Sequence, residues 1–531
     1  MAQPENWSWQ DRAEGSIPRG SALDPTVEPV DGIRAFPTAY LPDRLLISDR
    51  LDGGDDAYDR DLRALTQAAN SFGWQLAVQD ADVIRAGRDA RMLPGIPGVH
   101  RAVLTTPEIP KEGESPVPPD AWRVLQRARR IVGDPMPRAG LEHVLALDPV
   151  GLNPFTRTNP FTRTNPFTRT NPFTRTNPVR GAGLVGSDDY LEPGRGGRQP
   201  IAWIGAAPVR SALPRRTRRA VVAVLDTGCG EHEWLPESIV TRGFDLDGIP
   251  IGLTDDDDPE RYPDLYGQLD GEIDAVAGHG TFIAGLIRQT APDADILSIR
   301  IANSLGVVDE STFLQVLAAV IELQRRFVHG EKGGHPVDVL NLSLGYYHET
   351  PLDGQFSLVL HDMLHTARAL GTVVVCSAGN DAIDRPSFPA SLWAWPGADN
   401  GLRPDKAVPL VSVGALNPSR RSLALFSNVG PWVRTFAPGA MVVSTTPAFT
   451  GGAQAATRAD VAGVDRQTVD PDDYRGGFVA WSGTSFAAPY VAGKVAALLG
   501  ALPTDAPASA TTIRKAVGKV LAALPPDAPL G

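Results

Sequence analysis

From about residue 220 onward, continuous apolar runs alternate with segments of helical spacing, and this alternation leaves few architectures open. Val221 to Leu225, Ile296 to Ile301, Val337 to Leu344, Thr372 to Ser377 and Val408 to Val413 are such runs. A short apolar run of this kind reads as a strand buried on both faces. Thr312 to Phe327, with Gly330 beyond, and Phe356 to Leu370 carry apolar residues at helical spacing. Strands separated by helices predict an α/β fold: a doubly wound, mostly parallel sheet with helices on both faces and right-handed crossovers. Chemistry in such a sheet sits at the carboxyl ends of the strands.

Three polar residues fall at such places. Asp226 ends the first run, in Val-Leu-Asp-Thr-Gly. A carboxylate there is costly unless it is paired or stands at a functional edge. His279 lies in Gly-His-Gly-Thr, just before the helical run of Phe282, Ile283 and Leu286. Ser485 opens a helix lined by Ala487, Ala488, Val491, Ala492 and Gly493, whose small side chains allow close packing. Pro489 is tolerated only in or near the first turn. A serine hydroxyl is a weak nucleophile and needs an adjacent base. A histidine suits that role, and a buried carboxylate fixes its tautomer and stabilises the imidazolium. Asn380, in Ser-Ala-Gly-Asn after a buried run, can donate its side-chain amide to an oxyanion. The Ser485 backbone N–H, at a helix N-terminus, is a second donor for the same oxygen.

The blocks VVAVLDTG, GHGTFIAG, NLSLG, SAGN and SGTSFAAPYVAG resemble the signature blocks of the subtilase family. The order Asp, His, Ser also matches that family. The likeness covers roughly residues 220 to 500 and implies a subtilisin-like catalytic domain, taken as 201–525. It implies a serine endopeptidase that works through an acyl-enzyme, with no cofactor or metal needed for the chemical step. It also implies that Ser343, Leu344 and Gly345 form the strand that pairs with an extended protein or peptide substrate. Ser377, Ala378 and Gly379 would form the other wall of the pocket before the cleaved bond. Substrate would then bind by adding a strand to the enzyme. Two departures stand out: Phe282 replaces a frequent histidine, and Tyr346-Tyr347-His348-Glu349 is bulkier than the glycine common there. The first touches packing and the second touches subsite preference. Two other readings are kept: an inactive subtilase-fold binding protein, and an intracellular effector switched on by a protein partner.

Ahead of this domain, residues 41–150 read as strand, helix, strand, strand, helix, strand. Arg44 to Ser48, Trp74 to Val78, His100 to Thr106 and Leu141 to Leu147 are the strands. Leu62, Leu65, Ala69 and Phe72 mark one helix, and Asp120 caps a second that carries Trp122, Leu125 and Ile131. That order is the α+β, ferredoxin-like one. The family likeness implies a prodomain that assists folding and inhibits the enzyme; an unrelated accessory domain is the alternative. Residues 1–40 are expected to be a flexible leader. Residues 151–200 are expected to be a disordered linker, because the perfect repeat Asn-Pro-Phe-Thr-Arg-Thr from Asn153 cannot hold a helix or build a core. A partner-recognition sequence or a cleavable joint is the alternative. The cluster Arg215-Arg216-Thr217-Arg218-Arg219 is read as salt-bridging surface rather than a processing site.

A net charge of −12 and a pI near 5.3 argue against nucleic acid and anionic membranes as partners. The only two cysteines, Cys229 and Cys376, rule out a disulfide framework and are read as buried fillers. The acidic run Asp255 to Asp258 is read as a solvated turn, with structural calcium as the alternative. The first residues lack the basic start and apolar run of a secretory signal, and no long apolar stretch is found. Cytoplasmic localisation is the expectation, with export by another route left open.

Overall fold

The computed structural model describes residues 20–49, 55–106, 117–147, 197–266, 273–350, 358–398, 401–451 and 456–525. The hexapeptide repeats, most of the 151–200 linker and the first part of the leader lie outside these residues.

The N-terminal unit comprises β1 (Ala39–Ser48), α1 (Asp55–Ser71), β2 (Gln75–Asp82), β3 (Val99–Thr105), α2 (Ala121–Val132) and β4 (Ala139–Leu147). Its four strands are antiparallel, in the order β4-β1-β3-β2. This is the strand arrangement of a split βαβ unit. The α2 N-cap is Asp120, which accepts the N–H of Arg123, and the helix ends at Gly133 with φ 69°, where a left-handed residue closes it. Trp122 is buried, but Ile131, read from the sequence as part of the same apolar face, points to solvent. Residues 20–38 are not loose: Leu23 is buried in the unit's core, and Ser21–Ala22 pair with Ala39 and Tyr40 of β1. A short strand and one well-placed leucine bound a segment whose composition alone suggests a flexible leader.

The C-terminal unit is built on a seven-stranded, wholly parallel sheet. Its elements are β5 (Val221–Asp226), β6 (Val240–Arg242), α3 (His279–Thr290), β7 (Asp295–Arg300), β8 (Val307–Asp309), α4 (Glu310–His329), β9 (Val339–Leu342), β10 (Leu344–Gly345), α5 (Leu358–Ala369), β11 (Val373–Ser377), β12 (Leu410–Leu416), β13 (Thr435–Pro438), α6 (Thr484–Leu499) and α7 (Ala510–Ala523). The sheet order is β13-β12-β11-β9-β5-β7-β6. β5 and β9 lie at its centre and are buried throughout, which explains their mostly apolar sequence, broken only by Asp226 and Asn341. The single run read from Val337 to Leu344 is two strands, because Ser343 breaks the pairing and β10 turns to another sheet.

Helix α6 runs through the core with most of its residues buried. A Cβ at Gly493 would stand 1.9 Å from Thr290 Oγ1, so only glycine lets α6 approach α3 this closely. Among the described residues no helix is long and apolar enough to cross a membrane. Arg218 and Arg219 of the basic cluster form ion pairs with Asp338 and Asp293.

The two units share a sheet. β4 pairs antiparallel with β10 on one side and with β8 on the other. Leu147 stands opposite Leu344, Ala146 opposite Gly345, and Leu147 N–H donates to Gly306 O at 2.8 Å.

Candidate active site

The carboxyl end of β5 brings Asp226 beside the first residue of α3. His279 Nδ1 lies 2.7 Å from Asp226 Oδ1, and both side chains are fully buried. The same oxygen accepts the Thr227 N–H at 2.8 Å. With Nδ1 turned to the carboxylate, His279 Nε2 is the open nitrogen, and it is buried without a hydrogen-bond partner. Its ring stands edge-on to Trp481, 5.7 Å between centroids, and tilts against Phe486 at 5.2 Å. Phe282 belongs to the same aromatic cluster, 4.4 Å from Phe486, so the departure from the family pattern there changes packing.

Ser485 is the second residue of α6. Its hydroxyl donates to Ser343 O at 3.3 Å, and it makes no hydrogen bond to His279 Nε2. Ser343 Oγ in turn donates to Ser485 O at 2.9 Å, tying the helix start to the strand before β10.

Asn380 follows β11. Its Oδ1 accepts both the N–H and the hydroxyl of Thr484, each at 2.9 Å. This fixes the amide orientation and leaves Nδ2 buried with no partner. An unpaired buried donor is costly unless something else occupies it. A developing oxyanion is such an occupant. Thr484 Oγ1 also accepts the Gly379 N–H at 3.1 Å, so one hydroxyl connects three of these residues.

The remaining candidates line the two sides. Ser343, Leu344, Gly345, Ser377, Ala378 and Gly379 are all buried, on β10, β11 and their ends. Gly379 has φ 101°, and a Cβ there would meet Asn428 Nδ2 at 2.5 Å. Asn428 was not evident from the sequence, yet it organises this wall. Its Nδ2 donates to Ala378 O and Tyr347 Oη at 2.9 and 2.8 Å, and its Oδ1 accepts the N–H of Asp381 and Ile383. Tyr347 also donates to Asp381, so this bulky departure has its hydroxyl held in place.

The acidic run is partly solvated: Asp255 and Asp256 are exposed, and Asp257 and Asp258 are half-buried. Asp255 pairs with Arg300, Asp257 accepts Ser304 N–H and Tyr266 Oη–H, and Asp258 accepts Glu260 N–H. Among the described residues, the group whose ligand atoms converge is elsewhere: His143, His348 and Glu349, within 4.8 Å of one another. There His143 Nδ1 and Nε2 already face Glu310 and Glu349, at 2.7 and 2.8 Å, and His348 Nδ1 accepts Thr350 N–H at 3.1 Å. His143 is thus ion-paired to Glu310 and Glu349 between the two units, while Glu349 Oε1 is buried without a hydrogen-bond partner. Cys229 and Cys376 are free and buried, and burial pushes both thiols up, Cys229 to about 12. Neither is a thiolate nucleophile.

The subtilase family model, Peptidase_S8, matches residues 217–521. An intracellular serine protease of Paenibacillus polymyxa is 30% identical over 296 residues, covering 53% of this chain and 67% of its own. An extracellular protease of Xanthomonas campestris pv. campestris is 25% identical over 324 residues, covering 57% of this chain and 47% of its own. Among solved structures, a cold adapted subtilisin-like serine proteinase overlaps 56% of this chain and 80% of its own, at 23% identity and a TM-score of 0.35. Fervidolysin from Fervidobacterium pennivorans, a keratinolytic enzyme related to subtilisin, overlaps 91% of this chain and 58% of its own, at 20% identity and a TM-score of 0.44. The matched segment spans the parallel sheet, Asp226, His279, Asn380 and Ser485, and the chain belongs to the subtilase family of serine proteases.

Proposed function

We propose that this chain is a serine endopeptidase in which Ser485 is the nucleophile, His279 the general base and acid, and Asp226 the residue that orients His279. The observation that carries this reading is the 2.7 Å bond from His279 Nδ1 to Asp226, with Nε2 left open. His279 Nε2 takes the Ser485 proton as Oγ attacks the peptide carbonyl, and Asn380 Nδ2 and the Ser485 N–H hold the oxyanion. The imidazolium then protonates the leaving amine, and water hydrolyses the acyl-enzyme with the same groups in reverse. A small rotation of the Ser485 hydroxyl from Ser343 O toward Nε2 is required; such hydrogen bonds often form only in the substrate complex.

The N-terminal unit is proposed to hold this enzyme inactive. β4 lies antiparallel against Leu344 and Gly345, where the family likeness implies that substrate adds, and against β8 on the other flank. A substrate strand and β4 compete for the same backbone donors and acceptors. Release of β4, by cleavage between the units or by a protein partner, would open the cleft. An intracellular site of action is part of this reading and is supported by likeness to the Paenibacillus protein of that name.

The test is fluorophosphonate labelling with intact mass spectrometry of wild type and Ser485→Ala. Labelling of wild type alone supports the nucleophile. Equal labelling of both, or of neither after the N-terminal unit is removed, rejects it.

A further inference from the structure

Glu260 is a carboxylate that the proposed chemistry does not use, yet it is buried between the two segments that carry Asp226 and His279. Its Oε1 accepts Gly280 N–H at 2.8 Å, Thr281 N–H at 3.3 Å and the Thr227 hydroxyl. Its Oε2 accepts the Thr281 hydroxyl. Gly280 and Thr281 form the first turn of α3 after His279, and Thr227 follows Asp226 directly. Thr227 Oγ1 also accepts Gly280 N–H at 2.8 Å, and Thr281 Oγ1 accepts Gly230 N–H at 2.7 Å.

This arrangement answers a local need. The α3 N-cap is Gly278, with φ 78° and no side chain to satisfy the first N–H groups. A carboxylate at a helix N-terminus is favoured by those donors and by the dipole. Glu260 supplies it from a separate loop and adds the bond to Thr227. The two segments also touch directly: a Cβ at Gly280 would lie 2.0 Å from Gly228 O.

We infer that Glu260 is a positioning residue, which clamps the loop after Asp226 to the first turn of α3 and so sets the alignment of the Asp226–His279 pair. The inference rests on the triad reading above. Its charge state matters to the clamp. Burial pushes the Glu260 carboxyl up to about 7, with Asp258 and Asp226 adding to the rise against the Thr227 and Thr281 hydrogen bonds. Protonated, it loses acceptor capacity on the oxygen that takes the proton. Acidification therefore loosens the clamp.

The test compares full-length wild type, Glu260→Gln and Glu260→Asp, with Ser485→Ala as the control on the triad. The readouts are the rate of fluorophosphonate labelling against pH and the low-field NMR resonance of His279 Nδ1–H in ¹⁵N-histidine protein, assigned with His279→Gln. In Glu260→Gln the rate falls about 10²-fold, as expected for a displaced catalytic pair. Its pH profile loses the component that titrates with the Glu260 carboxyl. The His279 resonance shifts, and Glu260→Asp recovers part of the rate. A lower melting temperature with wild-type rate, pH profile and resonance would make Glu260 a helix cap only and overturn the inference. Should Glu260→Gln not fold, Glu260→Asp decides: a wild-type rate and resonance overturn the inference, and a shifted resonance with a reduced rate upholds it. Loss of the triad reading is seen separately, as equal labelling of wild type and Ser485→Ala, and the resonance still reports on the clamp in that case.

Discussion

Ala146 of the N-terminal unit stands in antiparallel register opposite Gly345 of the catalytic unit, with Leu147 opposite Leu344 beside it. The last strand of the N-terminal unit thus extends its own sheet onto two short strands of the catalytic unit, β8 and β10. Ala146→Pro removes a backbone donor and strains this strand. Each lost hydrogen bond is worth roughly 1 kcal/mol net, so the docked state should weaken about fivefold or more. Fluorophosphonate labelling of Ser485 in the full-length protein should rise accordingly. Unchanged labelling would separate β4 pairing from inhibition.

A second contact between the units is ionic. Burial disfavours a charged His143, but Glu310 and Glu349 together outweigh it and push the imidazole up to about 10. The folded value exceeds the ordinary one, about 6.5. Its stabilising effect is therefore complete below about pH 6.5 and fades as pH rises toward about 10. His348 behaves in the opposite sense: burial, with charged His143 nearby, lowers it to about 4. Its contribution is present above about 6.5 and is lost as pH falls toward about 4. Docking of the N-terminal unit should be tightest near pH 6.5 and loosen in both directions. His348→Gln should flatten the acid side in a pH series of labelling rates. His143→Gln leaves two buried carboxylates without their cation and should cost about 3–5 kcal/mol of docking.

Asn380→Ala should lower kcat by about 10²–10³ with little change in KM, because its amide meets only the developing oxyanion. Thr484→Val should show a weaker form of the same defect. It removes the hydroxyl that donates to Asn380 Oδ1 and accepts Gly379 N–H. Steady-state kinetics on a peptide amide distinguishes both from a binding defect, which would appear in KM alone.

Asp226→Asn should fold and yet lose about 10⁴ in kcat, since an amide can hold His279 in the wrong tautomer. Retention of activity would move the orienting role away from Asp226.

The parallel sheet was legible because a doubly buried strand is mostly apolar, and β5, β7, β9, β11 and β12 carry that signal despite isolated polar residues such as Ser298, Asn341 and Ser412. Asp226, His279, Asn380 and Ser485 were legible because each sits in a short local block next to a strand end or a helix start. Local sequence constrains local geometry, so such blocks survive being read in isolation. The order of the N-terminal elements was visible for the same reason, through helix caps such as Asp120 and Gly133.

The rest required the chain to be folded. Glu260, Asn428 and Thr484 act through bonds to residues far away in sequence, and their neighbours carry no periodicity that announces them. The division of one apolar run into β9 and β10 depends on what β10 pairs with, and that partner is β4, nearly two hundred residues upstream. Likewise, Tyr346 to Glu349 reads as a bulky departure beside the cleft, but His348 and Glu349 belong to a buried bridge with His143. Apolar periodicity and short-range motifs made the sheet, most of the helices and the candidate site residues readable before folding. Which carboxylates meet which donors, which donors stay unpaired and which strand pairs with β10 emerge only on folding. Those properties are set by contacts between segments, and the free energy of such contacts is not written in any one of them.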